Sequence, residues 1–282
     1  MALPPSDKRL SVIERSRAVW SEPEIIPDTV NIRRADRAVR RGKTVTSTPN
    51  HVLITGATSG IGAAVAKRFI TAGFKVIAWD INAPTDFECE WSHVDVSDSE
   101  SVKSAATNLP PLYAVVTCAG IGTRGSLVDL GYESFQRVIS INLKGTANTA
   151  IAVFDALAQG KGTLITIGSI TAINGFHHRA GYSASKAAVV ALTRCLGNEW
   201  AEYGIRAICV SPGFVNSPMA LEGIKNGLTN YDGIIKHTAM KTLIEPEALA
   251  DSIYALTGPD FRRATGVNIL IDAGWDSLSG VL

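Results

Sequence analysis

The sequence predicts an α/β fold, a doubly wound parallel sheet forming a single domain behind an N-terminal extension. Three observations predict it. Short apolar runs recur along the chain, they alternate with stretches of helical period, and the runs are apolar almost throughout rather than at every second residue. A strand with one wet face alternates apolar and polar residues. A strand covered on both faces need not, and parallel strands joined by crossover helices are covered on both.

In chain order, strands are expected at 51–55 (HVLIT), 75–80 (KVIAWD), 113–118 (YAVVTC), 162–168 (GTLITIG), 206–211 (RAICVS) and 266–272 (GVNILID), with a weaker one near 91–95. Helices are expected near 60–72, 98–108, 131–158, 181–203 and 246–257. The stretch 216–241 interrupts the alternation and carries Gly223, Gly227 and Gly233 among apolar residues. An insertion just beyond a strand's carboxyl end, in a sheet of this kind, suits a substrate lid. Residues 1–48 read as an arm separate from the 49–282 domain. Arg33, Arg34, Arg37, Arg40, Arg41 and Lys43 make the arm basic, but Glu14, Asp28, Asp36 and other acids dilute the charge. Packing on the body or on a neighbouring subunit is therefore favoured over binding a polyanion.

Composition narrows the partners. Hydrophobic residues are 46% of the 282 and the net charge is +1, which supports a sizeable core and gives no reason to expect nucleic acid or an anionic membrane. No apolar run approaches the ~20 residues of a membrane span, and the first residues lack a secretory apolar block; a cytoplasmic location is expected. Cys89, Cys118, Cys195 and Cys209 show no CxxC spacing. No metal site is expected, and the four are read as small hydrophobes buried in a reducing compartment.

The first strand runs into Thr55-Gly56-Ala57-Thr58-Ser59-Gly60-Ile61-Gly62, and a helix follows. This is the chemistry of a phosphate cradle in a Rossmann-type sheet: glycines let the backbone turn and approach a pyrophosphate, and the helix N-terminus offers free N–H groups. The second strand ends at Asp80, whose carboxylate can accept both hydroxyls of an adenosine ribose and would repel a 2′-phosphate. At ~5 Å and an effective dielectric of ~20 that repulsion is worth several kcal/mol, enough to select NAD over NADP.

Tyr182-Ser-Ala-Ser-Lys186 opens the helix expected at 181–203, and a spacing of four puts both side chains on one face. Ser169 ends the fifth strand and can reach the same point. A phenol can pass a proton to or from a substrate oxygen, a nearby ammonium favours its ionised form, and a hydroxyl can hold that oxygen as charge develops.

These pieces together resemble the short-chain dehydrogenase/reductase family, in its "classical" branch, over about 49–275. Matching segments are TGATSGIG at 55–62, Asp95-Val96, CAG at 118–120, Asn142, Ser169, YSASK at 182–186 and PGFVNSPM at 212–219. The resemblance implies that Tyr182 is the general acid/base, Lys186 its activator and a ribose ligand, and Ser169 the group that orients the substrate. It implies that Asn142 holds a water linking Lys186 to solvent. Cofactor contacts would come from Gly56, Thr58, Ser59, Gly60, Ile61 and Gly62, then from Asp80, Asp95, Val96, Ala119 and Gly120. Around the nicotinamide they would come from Tyr182, Lys186, Pro212, Gly213, Val215 and Ser217. Two departures stand out. Thr117-Cys118 occupies the place of the family's usual Asn-Asn, and Ser217 replaces a usual Thr while keeping a hydroxyl.

The implied reaction is NAD-dependent interconversion of a small secondary alcohol and its ketone. Thr171, Ile173, Asn174, Phe176, Phe214 and the 216–241 insertion would frame the substrate, which fits a cyclic or aryl alcohol better than a polyol. His177 could join them; Arg124 is read as a surface residue. Family members often form tetramers through the helices at 131–158 and 181–203, and a homotetramer is expected. The rival readings are a 3-oxoacyl-[acyl-carrier-protein] reductase, a sugar or polyol dehydrogenase, a non-catalytic nucleotide sensor, and a scaffold whose arm binds a polyanion.

Overall fold

The computed structural model describes residues 49–225, 227 and 230–278. The reading of residues 1–48 as an arm lies outside the described residues.

Seven parallel strands form one sheet: β1 (His51–Thr55), β2 (Lys75–Asp80), β3 (Glu90–His93), β4 (Leu112–Thr117), β5 (Thr163–Ile167), β6 (Arg206–Pro212) and β7 (Val267–Ile271), in the order β3-β2-β1-β4-β5-β6-β7. The order reverses between β1 and β4, which opens a crevice at the carboxyl ends of these two strands. The expectation of continuous burial holds along the central strands: β5 is buried at every position and β1 at all but its first. Val52 and Ile54 join one core, with Val65, Phe69, Leu249 and Ile253, while Leu53 between them joins the other, with Val153, Leu157 and Ile205. Alternate residues of one strand therefore feed opposite layers, and both layers are apolar.

The helices are α1 (Gly60–Thr71), α2 (Ser99–Ala105), α3 (Leu127–Ile139), α4 (Gly145–Gly160), α5 (Ala180–Glu199), α6 (Pro218–Lys225), α7 (Tyr231–His237) and α8 (Pro246–Thr257). Where a single helix is expected at 131–158, the structure has α3, a π-helical turn over Ser140–Lys144, and α4. Gly131 inside α3 takes φ 65°, ψ −175°, a kink that only glycine adopts at little cost. The stretch 216–241 is not structureless: it holds α6 and α7. Its root is pinned by a parallel bridge between Val215 and Ile244 and by the N–H of Asn216 donating to the carbonyl of Ile244.

The cysteines depart from expectation. Cys209 is buried, Cys89 and Cys118 are half-buried, and Cys195 is exposed. Cys195 lies on the outer side of α5, because helical period sends one residue of an apolar-looking stretch to solvent. Among the described residues no helix is long and apolar enough to cross a membrane.

Candidate active site

A cleft of about 870 Å³ lies over the switch between β1 and β4. The glycine loop forms its floor. Gly56 and Gly60 have φ of 64° and 51°, backbone that L side chains rarely adopt. A Cβ on Gly62 would come within 2.0 Å of the Gly56 carbonyl oxygen, and one on Gly56 within 2.7 Å of the Ala119 backbone. The loop can fold back on itself and against the chain after β4 only without those side chains. Ser59 caps α1 with no side-chain hydrogen bond to the helix, so the first-turn N–H groups remain available to an anion.

Asp80 ends β2 at the cleft rim. Its carboxylate accepts the N–H of Thr58 and the N–H of Asn82, each at 3.1 Å. The cations on the cleft wall, among the described residues, are Arg137 and Lys186. Asp95 and Val96 line the cleft as well, but the Asp95 carboxylate is turned to Ser97, and the Val96 carbonyl accepts Asn148 Nδ2 at 2.9 Å. Ala119 and Gly120 complete the wall, with the Ala119 N–H donating to Thr55 Oγ1 at 3.1 Å.

A smaller cavity of about 130 Å³ adjoins the cleft. Tyr182, Ile61, Ile167, Ser217 and Met219 line both spaces, so the phenol stands at their junction. Ser169 lines the smaller cavity at the end of β5. Its Oγ accepts the N–H and the hydroxyl of Thr171, both at 3.1 Å, which fixes the oxygen and leaves its own proton to point elsewhere. Lys186, 6% exposed, donates from Nζ to the Ile167 carbonyl at 2.8 Å and lies 5.8 Å from the Tyr182 ring centre. Helical spacing thus does bring phenol and ammonium together, and the strand end brings the hydroxyl. Pro212, Gly213, Phe214 and Val215 lie on the wall of the same small cavity.

Asn142 sits in the π turn and is fully buried. Its Oδ1 accepts the Ile121 N–H at 2.8 Å, and its Nδ2 donates to the Ile121 carbonyl and to Ser185 Oγ, each at 3.0 Å. Both amide protons are therefore committed to holding the loop after β4 against α5. A water near Lys186 would be met through the remaining acceptor capacity of Asn142's side-chain and backbone oxygens.

Of the expected substrate residues, Thr171, Phe176 and Phe214 line the small cavity. His177 does not: it is exposed, its ring 3.7 Å from that of His178, because the turn takes His178 through φ 60° and directs the pair outward. Asn174 donates to Asp276 Oδ1 at 2.6 Å, and Ile173 is exposed. Arg124, expected on the surface, is half-buried on the cavity wall, where burial lowers its pKa.

Met219, within the 216–241 insertion expected to frame the substrate, lines both spaces. Two residues were missed. Trp275 backs the pocket, with ring centres 4.8 Å from Phe214 and 4.3 Å from His237. Arg179 lines the cavity, and nothing in its spacing from Tyr182 revealed that. Burial first, and the neighbouring charge of Arg124 second, bring the Arg179 guanidinium down to about 10, with Tyr182 opposing. Near the family departure at 117–118, the Thr117 hydroxyl is buried with no hydrogen-bond partner among the described residues, and burial pushes the Cys118 thiol up to about 12 against the pull of Lys186.

Comparison with known proteins gives a consistent picture. A family model described as "Enoyl-(Acyl carrier protein) reductase" matches residues 56–276. A (3R)-3-hydroxyacyl-CoA dehydrogenase from Canis lupus familiaris is 32% identical over 248 residues, 79% of this chain and 94% of that protein. An uncharacterized short-chain type dehydrogenase/reductase, y4vI, from Sinorhizobium fredii is 28% identical over 257 residues; the match takes in 86% of this chain and 45% of that protein, so this chain spans about half its length. Among solved structures, ElxO with NADP bound superposes with a TM-score of 0.72 at 26% identity, over 81% of this chain and 99% of the other. The family model takes in the glycine loop, every strand after β1 and the Tyr182–Lys186 helix, and the chain belongs to the short-chain dehydrogenase/reductase family of oxidoreductases.

Proposed function

We propose that this chain is an NAD-dependent dehydrogenase or ketoreductase that interconverts a small secondary alcohol and its ketone. The observation that carries the reading is the position of Tyr182 at the junction of the large cleft and the small cavity, with Lys186 and Ser169 on the adjoining walls. The glycine loop, the uncapped first turn of α1 and the Asp80 carboxylate fit a dinucleotide, and Asp80 supports NAD. A nicotinamide held in the cleft would supply or accept the hydride.

The chain's own residues then handle the proton and the charge. Tyr182 gives its hydroxyl proton to the substrate oxygen in the reducing direction and takes it in the oxidising one. The Lys186 ammonium, held by the Ile167 carbonyl, offsets negative charge on the phenol oxygen. Ser169 Oγ, fixed by Thr171, donates to the substrate oxygen as charge develops there. The 216–241 segment serves as a lid, with Met219 of α6 facing both spaces. Phe176 and Phe214, whose ring centres are 6.2 Å apart, supply an apolar wall that supports a compact substrate. Assembly as a homotetramer would use α3, α4 and α5, and exposed Val128, Tyr132 and Ile151 on the first two support it.

A second reading, a 3-hydroxyacyl thioester as substrate, is favoured by the (3R)-3-hydroxyacyl-CoA dehydrogenase relative. NADH absorbance assays with cyclic and aryl alcohols, polyols, short hydroxy acids, their ketones and acetoacetyl-CoA test both. Turnover of the small ketones with NADH supports the first reading. Turnover confined to acetoacetyl-CoA selects the second, and no turnover of any of these by protein that binds NADH removes both.

A further inference from the structure

The small cavity has a charge pattern that the reaction does not require. Two arginines, Arg124 and Arg179, lie on its wall, and among the described residues no aspartate or glutamate does. Arg179 makes no ion pair among the described residues. Its Nη1 donates to the Thr123 carbonyl at 3.2 Å, and its guanidinium carbon lies 5.5 Å from the Tyr182 ring centre. One hydrogen bond to a carbonyl leaves most of its five N–H donors to be satisfied.

The guanidinium is held by construction rather than left to wander. Gly122 makes room for it: a Cβ there would stand 3.3 Å from Arg179 Nη1 and 3.0 Å from Met219 Sδ. The N–H of Gly125 donates to the His178 carbonyl at 3.1 Å, tying the loop after β4 to the turn that carries Arg179. Half-burial of the Arg179 cation with a carbonyl for its partner is unfavourable, and an anion in the cavity would relieve it.

We propose that the substrate carries an anionic group, a carboxylate, sulfonate or phosphate, which Arg179 binds. This inference rests on the assignment of Tyr182 as the acid/base. The closeness of Arg179 to the Tyr182 ring requires the anion and the reacting carbon to belong to one short molecule. The class implied is a small hydroxy acid and its oxo acid, or the sulfonate or phosphate analogue. The guanidinium fork matches a two-oxygen face, so the anion would also fix which face of the carbonyl meets the cofactor. A neutral analogue would leave the part-buried guanidinium without an anionic partner, so the pocket would discriminate against it.

The test uses the full chain and begins with NADH affinity by fluorescence titration, because failure to bind NADH overturns the dehydrogenase reading itself. With NADH bound and ionic strength held constant, isobutyrate, 2-propanesulfonate and inorganic phosphate are compared with neutral isobutyramide in thermal shift. Protection by at least one anion and none by the amide is expected, with the three arms ranking carboxylate, sulfonate and phosphate. Arg179→Gln should lose that protection while still binding NADH, which shows that the fold has survived. In turnover, short hydroxy acids are paired with their methyl esters. The acid should be preferred by about 100-fold in kcat/KM, and Arg179→Gln should cut that preference to within about threefold. Equal turnover of acid and ester, absence of anion protection on the NADH-bound protein, or an Arg179→Gln loss shared equally by acid and ester would each overturn the proposal without touching the role of Tyr182.

Discussion

The Asp80 carboxylate accepts the backbone N–H of Thr58 at 3.1 Å, joining the end of the second strand to the glycine loop, 22 residues apart in sequence. One carboxylate oxygen thereby stiffens the loop, while the other accepts from Asn82 at the rim of the cleft. A 2′-phosphate on the adenosine ribose would meet this fixed negative charge. Asp80→Ser should reduce the preference for NAD over NADP by about 100-fold or more, given a repulsion of several kcal/mol at ~5 Å and an effective dielectric of ~20. Steady-state kcat/KM with each cofactor measures it, and an unchanged ratio would remove Asp80 from the selection of cofactor.

Tyr182→Phe removes one oxygen at the junction of the two cavities and leaves the ring in place. Turnover should fall by about 10³-fold, in the range of lost general acid/base catalysis, with NADH affinity unchanged. Single-turnover kinetics alongside NADH titration separates the two effects. Residual turnover within about tenfold of the native protein would mean that another group moves the proton.

Gly62→Ala probes the cradle by volume alone. The new methyl would lie 2.0 Å from the Gly56 carbonyl oxygen, so the loop must open. NADH affinity should drop by more than about tenfold, and stability by about 1–3 kcal/mol, the usual range for overpacking. Fluorescence titration and urea denaturation read these independently. Retention of both would mean that the loop relaxes at no cost.

Arg206 tests the scaffold far from the chemistry. Its Nη1 donates to the carbonyls of Leu256 and Phe261, and its Nη2 to Thr163 Oγ1 and the Thr257 carbonyl, so one guanidinium ties β6 and β5 to the end of α8. A cation at a helix C-terminus also meets the negative end of the helix dipole. Arg206→Met keeps much of the stem and removes the donors. It should cost about 2–4 kcal/mol in urea unfolding, because several part-buried acceptors lose their partner. A loss below about 0.5 kcal/mol would mean that water replaces those bonds.

Much of this protein is written locally. Short, nearly continuous apolar runs such as HVLIT and TLITI read as strands buried on both faces, and they are strands buried almost throughout. The positive φ at Gly56 and Gly60 was legible because only glycine turns there without strain. The spacing of Tyr182 and Lys186 was legible because helical period alone determines which residues share a face. The break between α3 and α4 was less so. Ser140–Lys144 reads as ordinary helix, and in the structure it is a π turn whose Asn142 makes two hydrogen bonds to distant Ile121.

The sequence by itself determined the strands, the glycine loop and the phenol–ammonium pair, since each depends on neighbours within a turn or two of chain. Only the tertiary structure decided that His177 faces outward and that Arg124 and Arg179 face in. Arg179 reaches the cavity wall because its guanidinium bonds the carbonyl of Thr123, 56 residues earlier, across a gap that Gly122 keeps open. Charge and polarity say that an arginine must find partners. They do not say where in the fold those partners are, and that depends on contacts between segments far apart in the chain.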